Sequence, residues 1–96
     1  MKTKILNKDG NFSLNSLNAI RESYINKETN RIYPVKYVGT GNFINKKDYS
    51  DYIIEILRNE NIDFTEGNDA PRGGKNGNFI QTSKEGIDYL LKIIEK

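Results

Sequence analysis

Positive charge and glycine occur side by side in residues 67–78, whose sequence is GNDAPRGGKNGN. One arginine and one lysine enclose two glycines there. Glycine lets a main chain approach a ligand closely, while the cations attract anions. The pattern predicts non-covalent binding of a polyanion, although a plain solubilising hairpin loop is the alternative. The candidate contact residues in this segment, which we name the tip, are Arg72, Gly73, Gly74, Lys75, Asn76 and Asn78.

The tip does not have the spacing of a nucleotide-binding phosphate loop. That loop reads Gly-x-x-x-x-Gly-Lys-Ser/Thr and lies between a strand and a helix. In this chain Gly67 and Gly73 are one position too far apart, and Lys75 precedes Asn76 instead of Ser or Thr. We therefore do not expect nucleotide hydrolysis.

The residue types that carry most enzyme chemistry are missing from the sequence. The chain contains no cysteine and no histidine. This excludes disulfides, thiolate zinc sites and cysteine nucleophiles, together with the commonest general base and metal ligand. The carboxylates form no catalytic pattern with lysine or tyrosine. We therefore expect a protein that is not an enzyme and has neither a cofactor nor a metal.

Length and composition predict one small domain, residues 1–96. Of these residues 35% are hydrophobic and 29% are charged, so the chain can bury one modest core. No apolar run is long enough to cross a bilayer, and the opening MKTKILNKDG lacks the apolar stretch of a signal peptide. We expect a cytoplasmic protein without a membrane partner. A core this small favours pairing into a homodimer.

Apolar residues at steps of three and four predict two helices before the tip. Ser13 or Asn15 caps the first, which runs to about Tyr24. The second covers residues 46–59 and is capped by Asn45. Its buried face is expected to comprise Tyr49, Tyr52, Ile53, Ile56 and Leu57.

A third helix is expected after the tip and runs to the end of the chain. It begins at a capping box in which Thr82 is the cap and Glu85 reaches back. Tyr89 and Ile93 fall outside its apolar stripe, which indicates a second contact surface such as a dimer partner.

Residues that favour β-structure predict strands over residues 31–38, 61–66 and 78–82, and a basic strand or arm over residues 3–6. The second and third of these strands enclose the tip and form a β-hairpin. The predicted fold class is α+β, in one domain with the order (β)-α-β-α-β-β-α.

The helix over residues 46–59 has an acidic face, formed by Asp48, Asp51 and Glu55. Phosphates repel such a face, so we expect the tip to lead in contacting a polyanion. The alternative for this helix is a packing role with a solvated outer face. Three basic residues at its start and on the preceding strand are expected to assist the tip, namely Lys36, Lys46 and Lys47.

Pro71-Arg72-Gly73-Gly74 resembles half of an AT-hook core, Pro-Arg-Gly-Arg-Pro, and lacks the second arginine. A narrow A·T-rich minor groove has a strong negative potential that attracts arginine. The run therefore predicts that Arg72 enters the minor groove of duplex DNA.

The chain from about residue 40 onwards resembles a winged helix-turn-helix domain. A helix, a Gly-rich β-hairpin wing and the helix start Thr82-Ser-Lys-Glu-Gly86 carry the resemblance. Such a domain has two helices between its first strand and the wing, whereas one fits here unless residues 41–46 form a very short one. The resemblance implies sequence-selective binding of double-stranded DNA.

Length, composition and the basic wing are also similar to the TcpK family, winged-helix accessory proteins in the relaxosome of clostridial conjugative plasmids. This resemblance implies binding at the origin of transfer, with Arg72 and Lys75 as wing residues at DNA and other relaxosome proteins as partners. A transcriptional regulator is the alternative within the same class. The rival of a different class is a protein-binding module, such as a phage-type inhibitor of a host defence enzyme.

Overall fold

The computed structural model describes residues 4–95, which form three helices and six strands. The helices are α1 (Leu14–Glu22), α2 (Lys47–Asn59) and α3 (Lys84–Ile93). The strands are β1 (Tyr24–Asn26), β2 (Arg31–Tyr33), β3 (Val35–Gly39), β4 (Asn42–Asn45), β5 (Phe64–Asn68) and β6 (Asn78–Thr82). The α+β class is confirmed. The order differs from the expected one, because two hairpins rather than one strand lie between α1 and α2.

Four strands form one antiparallel sheet in the order β1-β2-β6-β5. Ile80 of β6 lies at its centre, opposite Ile32 of β2 on one side and Glu66 of β5 on the other. The helices cover this sheet with aliphatic side chains. The fully buried large apolar side chains are Ile20, Ile32, Ile53, Ile56, Leu57, Ile80, Ile87 and Leu90. The two strands that carry the tip are therefore fixed to the core.

Helix α1 begins after its cap Ser13, whose Oγ accepts a hydrogen bond from the Ser16 amide at 3.2 Å. The predicted end near Tyr24 is wrong, because this helix ends at Glu22. Tyr24 begins β1 and is exposed, and Leu14 is exposed as well. The helix packs against α2, and small residues allow that close approach. The buried residues of α1 are Ser16, Ala19 and Ile20.

The prediction of one strand over residues 31–38 is wrong, because Pro34 divides it into β2 and β3. Proline has no amide hydrogen and so interrupts a ladder. Strand β3 leaves the four-stranded sheet and pairs with β4 in a separate hairpin, where Tyr37 lies opposite Phe43. All three residues 39–41 of its turn have positive φ, at 95°, 53° and 76°, which suits the two glycines among them.

Helix α2 confirms the helix predicted over residues 46–59 and starts at Lys47. The predicted cap is wrong, because Asn45 ends β4 and Lys46 holds the cap position without a side-chain hydrogen bond. No short helix precedes it within the described residues, since residues 42–45 are extended. The buried face comprises Tyr49, Ile53, Ile54, Ile56 and Leu57.

The β5–β6 hairpin is present, and β6 has the predicted bounds. Strand β5 starts at Phe64 and not at Asn61, because the segment after α2 still closes the helix. The Ile62 amide donates to the Leu57 carbonyl at 3.0 Å, and Asn61 has a φ of 56°. The strand then continues through Asn68, which belongs to the tip.

The predicted cap of α3 is wrong by one residue. Ser83 is the cap, and its Oγ accepts from the Gly86 amide at 3.1 Å. Thr82 instead donates its hydroxyl to the Asp63 carbonyl at 2.7 Å, so its side chain closes the end of the β5–β6 hairpin.

Helix α3 ends at Ile93 rather than at the chain end, and Lys96 lies outside the described residues. Tyr89 and Ile93 are partly buried and pack against the core of the same chain. They therefore do not support a partner surface, and the homodimer stays a prediction. None of the three described helices is long and apolar enough to cross a membrane.

The strand or arm expected over residues 3–6 falls partly outside the described residues, which begin at Lys4. Leu6 forms an isolated antiparallel bridge with Phe12. The buried Ser16 hydroxyl donates to the Ile5 carbonyl at 2.9 Å. The described part of this segment is thus held against α1.

Candidate nucleic-acid interface

The tip is an ordered turn between two paired strands. The Gly73 amide donates to the Ala70 carbonyl at 3.0 Å, which places Pro71 and Arg72 at the centre of a β-turn. A 3-10 turn over Lys75–Gly77 follows and leads directly into β6. These hydrogen bonds give the tip a defined conformation.

Asn68 closes the tip from inside. Its Nδ2 donates to the Gly74 carbonyl at 2.8 Å and to Asn78 Oδ1 at 2.7 Å, while its Oδ1 accepts from the Ala70 amide at 3.0 Å. Gly77 is buried against Ala70, and a Cβ there would lie 2.5 Å from the Ala70 Cβ. Asn78 was predicted as a ligand contact, and its side-chain oxygen accepts a hydrogen bond within the tip.

Two asparagines join the tip to the β3–β4 hairpin. Asn76 Nδ2 donates to the Phe43 carbonyl at 2.8 Å, and Asn45 Nδ2 donates to the Lys75 carbonyl at 3.1 Å. The tip and the β3–β4 hairpin consequently form one continuous surface. Asn76 has a structural contact here that its sequence position did not indicate.

Asp69 is the acidic residue of the tip, and its carboxylate is paired. Its Oδ2 lies 3.2 Å from an Arg31 guanidinium nitrogen and accepts the Tyr33 hydroxyl at 2.5 Å. That hydrogen bond raises the pKa of Tyr33 above its ordinary value. The Arg31 guanidinium also lies 4.0 Å above the centre of the Phe79 ring. The negative charge of Asp69 is thus offset before any ligand arrives.

Arg72 and Lys75 are exposed and make no ion pair within residues 4–95. Gly73 separates them with a φ of 71° and no atom within 4 Å of the position of a Cβ. The Gly74 carbonyl is used by the Asn68 amide. The tip therefore presents two cations without ion pairs among the described residues, separated by two glycines that have no side chain.

The three assisting lysines differ in their surroundings. Lys36 is exposed on β3 and, like the tip cations, has no ion pair in the described part of the chain. Lys47 Nζ lies 2.5 Å from Asp51, and this hydrogen bond raises the pKa of the lysine. Lys46 Nζ lies 3.9 Å from Asp48. Lys36 is thus an unpaired cation on β3, whereas the two lysines at the start of α2 are paired with carboxylates of the same helix.

The acidic face of α2 is compensated by neighbouring cations. Besides the two lysine pairs at its start, Arg58 lies 3.0 Å from Glu55. All of these pairs are at the surface, where each contributes little stability. Their effect here is to offset the negative charge of this helix face.

Sequence reasoning missed the exposed aromatic rings beside the tip. Tyr37 and Phe43 face each other across the β3–β4 hairpin, with ring centres 5.2 Å apart and planes at 61°. Tyr24 on β1 is 56% exposed and lies 5.9 Å from the Tyr33 ring. A turn signal at residues 39–41 between two β-favouring runs was the clue to this hairpin.

A groove of about 560 Å³ separates these two sets of rings. We name it the aromatic groove. One wall belongs to the four-stranded sheet and the other to the β3–β4 hairpin. Asp69 and Asn76 of the tip form part of its rim.

No family model, curated protein or solved structure matches the chain. The class to which it can be assigned is a small α+β domain with a mostly antiparallel sheet, as its own fold shows.

Proposed function

We propose that this protein binds double-stranded DNA sequence-selectively, with the tip in the minor groove. The observation that carries the proposal is the pair of exposed, uncompensated cations, Arg72 and Lys75, on an ordered turn. Because hydrogen bonds already hold this turn in shape, it loses little conformational entropy on binding. Less of the electrostatic binding free energy is therefore offset by ordering the turn. Phosphate attraction then supplies affinity, and Arg72 supplies preference for a narrow groove.

The surroundings of the tip favour a polyanion over other ligands. Asp69 is paired with Arg31, and Lys36 adds a third free cation on the adjoining hairpin. The carboxylates of α2 are paired as well, so repulsion of phosphates by this helix is weaker than its sequence predicted. The unpaired charges on the turn of the tip itself are therefore the two cations, while Glu66 on β5 is a carboxylate without an ion pair among the described residues.

Strand order supports a winged-helix-like arrangement, which we include in the proposal. The wing strands β5 and β6 pair in a sheet whose next strand, β2, precedes α2 in the chain. In this interpretation the tip is the wing and α2 takes the place of the recognition helix. The β3–β4 hairpin occupies the position at which such domains have a further helix. By the resemblance, the cellular role is an accessory factor at the origin of transfer of a conjugative plasmid, or a transcriptional regulator.

The decisive experiment is a fluorescence-anisotropy titration of labelled blunt duplexes, one A·T-rich and one G·C-rich, over a series of salt concentrations. Arg72→Ala is expected to weaken binding by about 1–3 kcal/mol and to remove the A·T preference. Arg72→Lys keeps the charge and is expected to lose only the preference. Lys75→Ala is expected to lower the salt slope by about one.

The matched controls are Arg21→Ala and Lys92→Ala, which remove exposed cations from α1 and α3. Both are expected to bind the duplexes as the wild type does. Equal weakening by tip and control variants means that the protein binds through its net charge alone and rejects the proposed site.

A protein-binding module is the second candidate, and one observation favours it. The β3–β4 hairpin exposes Tyr37, Val38, Phe43 and Ile44, each at 45% or more. Contiguous exposed apolar residues of this kind mark interaction surfaces. An inhibitor of a host defence enzyme would use this hairpin and show no salt-dependent affinity for DNA. Absence of duplex binding at low salt rejects DNA binding and is the result that this candidate predicts.

A further inference from the structure

We propose that the aromatic groove binds a single nucleobase carrying an exocyclic amino group. The proposal rests on the proposed function for its main source, an unpaired base of a nucleic acid held by the tip. A free nucleotide offers the same chemistry, and the experiment below separates the two sources.

The walls of the aromatic groove are flat rings that are held in place. Tyr24 and Tyr33 lie on the sheet side, and Phe43, which is 48% exposed, lies on the hairpin side. The Tyr37 ring supports Phe43, and its hydroxyl accepts the Gly41 amide at 3.1 Å. Rings fixed in this way stack on a base without losing much freedom, and every base has a face to offer.

The polar groups of the aromatic groove are few and have specific free atoms. Asn26 Oδ1 accepts from the amides of Glu28 and Thr29, and its Nδ2 donates no hydrogen bond within residues 4–95. Asn42 Nδ2 donates to Thr40, and its Oδ1 accepts none from the described residues. These two side chains offer one donor and one acceptor to the edge of a base.

The third polar group is Asp69, and it decides the kind of base. Arg31 and Tyr33 both use its Oδ2, and Oδ1 has no hydrogen bond within the described residues. A carboxylate oxygen accepts from an amino group and repels a carbonyl oxygen. Adenine, cytosine and guanine carry that amino group, whereas the N3–H of thymine and uracil lies between two carbonyl oxygens that the carboxylate repels.

The tip connects the aromatic groove to the phosphate-binding cations. Asp69 and Asn76 line the groove, and Arg72 and Lys75 lie between them in the chain. A nucleic acid held by these cations can therefore place a base at the groove. The volume of about 560 Å³ is in the range of sites for small organic ligands.

The experiment compares two labelled duplexes that differ only in one bulged, unpaired adenosine. Wild-type protein is expected to bind the bulged duplex about 5-fold or more tightly than the fully paired one. Tyr24→Ala and Phe43→Ala each truncate an exposed ring. Either variant is expected to bind the bulged and the fully paired duplex equally tightly. Replacing the bulged adenosine by thymidine is expected to remove most of the gain.

Two further variants separate this proposal from the proposed function. Arg72→Ala is expected to weaken binding of both duplexes and to keep their ratio. Leu14→Ala truncates an exposed residue of α1 and is expected to change neither the affinity for the two duplexes nor the ratio of those affinities. If the wild type binds the bulged and the fully paired duplex equally tightly, base binding in the aromatic groove is rejected, while duplex binding by the tip is unaffected.

The second arm titrates the protein with adenosine monophosphate, uridine monophosphate and inorganic phosphate while following backbone amide chemical shifts. Adenosine monophosphate is expected to shift residues of the aromatic groove, and the other two are not. Such shifts without any duplex binding identify a free nucleotide as the ligand and reject the proposed function alone. Equal shifts with inorganic phosphate overturn base recognition.

Discussion

The side-chain amide of Asn76 donates a 2.8 Å hydrogen bond to the main-chain carbonyl of Phe43. This contact joins the 3-10 turn of the tip to strand β4, and Asn45 adds a second bond in the opposite direction at 3.1 Å. Because of these two bonds, the cations of the tip keep a fixed position relative to the exposed rings. Charge and aromatic surface thus act as one site.

Asn76→Ala is expected to weaken duplex binding several-fold although it removes no charge. The variant frees the tip from β4, so Arg72 and Lys75 must be ordered again when DNA binds. The free energy of unfolding is expected to fall by only about 1 kcal/mol, because the contact is exposed. Anisotropy titration and thermal unfolding measure the two effects, with Asn59→Ala at the exposed end of α2 as control. Unchanged affinity for DNA would show that the hydrogen bond between Asn76 and Phe43 does not contribute to binding.

Two glycine variants of the tip are expected to differ sharply in stability. A Cβ on Gly77 meets both the Cβ and the amide nitrogen of Ala70 at 2.5 Å, whereas a Cβ on Gly74 meets its nearest atom at 4.0 Å. We expect Gly77→Ala to lower the free energy of unfolding by about 1–3 kcal/mol, as overpacking does. Gly74→Ala is expected to stay close to the wild type. Urea unfolding of both variants tests this, and equal stabilities contradict the packing of the tip.

Asp69→Asn is expected to lower the pKa of Tyr33 toward its ordinary value. The hydrogen bond to the Asp69 carboxylate is the largest cause of the raised pKa, and burial adds to it. An ultraviolet titration that follows tyrosinate formation, with Tyr33→Phe to assign the step, measures the shift. The same variant removes a negative charge from the tip and is expected to tighten duplex binding. A tyrosinate titration identical to that of the wild type argues against the contact.

Stability at high pH is expected to depend on Tyr49. Burial first, and then its hydrogen bond to Glu22, raises the pKa of this hydroxyl from 10.0 to about 12 in the folded protein. A raised pKa favours the protonated form in the folded state, so the contribution is complete below pH 10 and is lost as the pH approaches 12.

We therefore expect the wild type to lose stability on the order of 2 kcal/mol over that window in excess of Tyr49→Phe. Urea unfolding at several pH values measures the difference. Tyr24→Phe, at an exposed position, is the control and is expected to follow the wild type. Parallel curves for wild type and Tyr49→Phe would refute the assignment.

Local patterns in the sequence were sufficient for several elements. The apolar spacing of residues 46–59 predicted α2, because a helix buries one face whatever lies opposite. The strand over residues 78–82 and the Ser13 cap were likewise readable from a few neighbouring residues. The hairpin around the tip followed from two β-favouring runs separated by glycines.

The tertiary structure alone decided what the candidate site is made of. Asp69 finds its partners Arg31 and Tyr33 far away in the sequence, through the pairing of β2 with β6 and of β6 with β5. Likewise, the turn of β3 at Pro34 brings Phe43 to Asn76. Sequence periodicity reports which face of an element is buried, but it carries no information on which distant polar groups meet. The cations of the tip were therefore visible in the sequence, whereas their compensated surroundings and the aromatic groove were not.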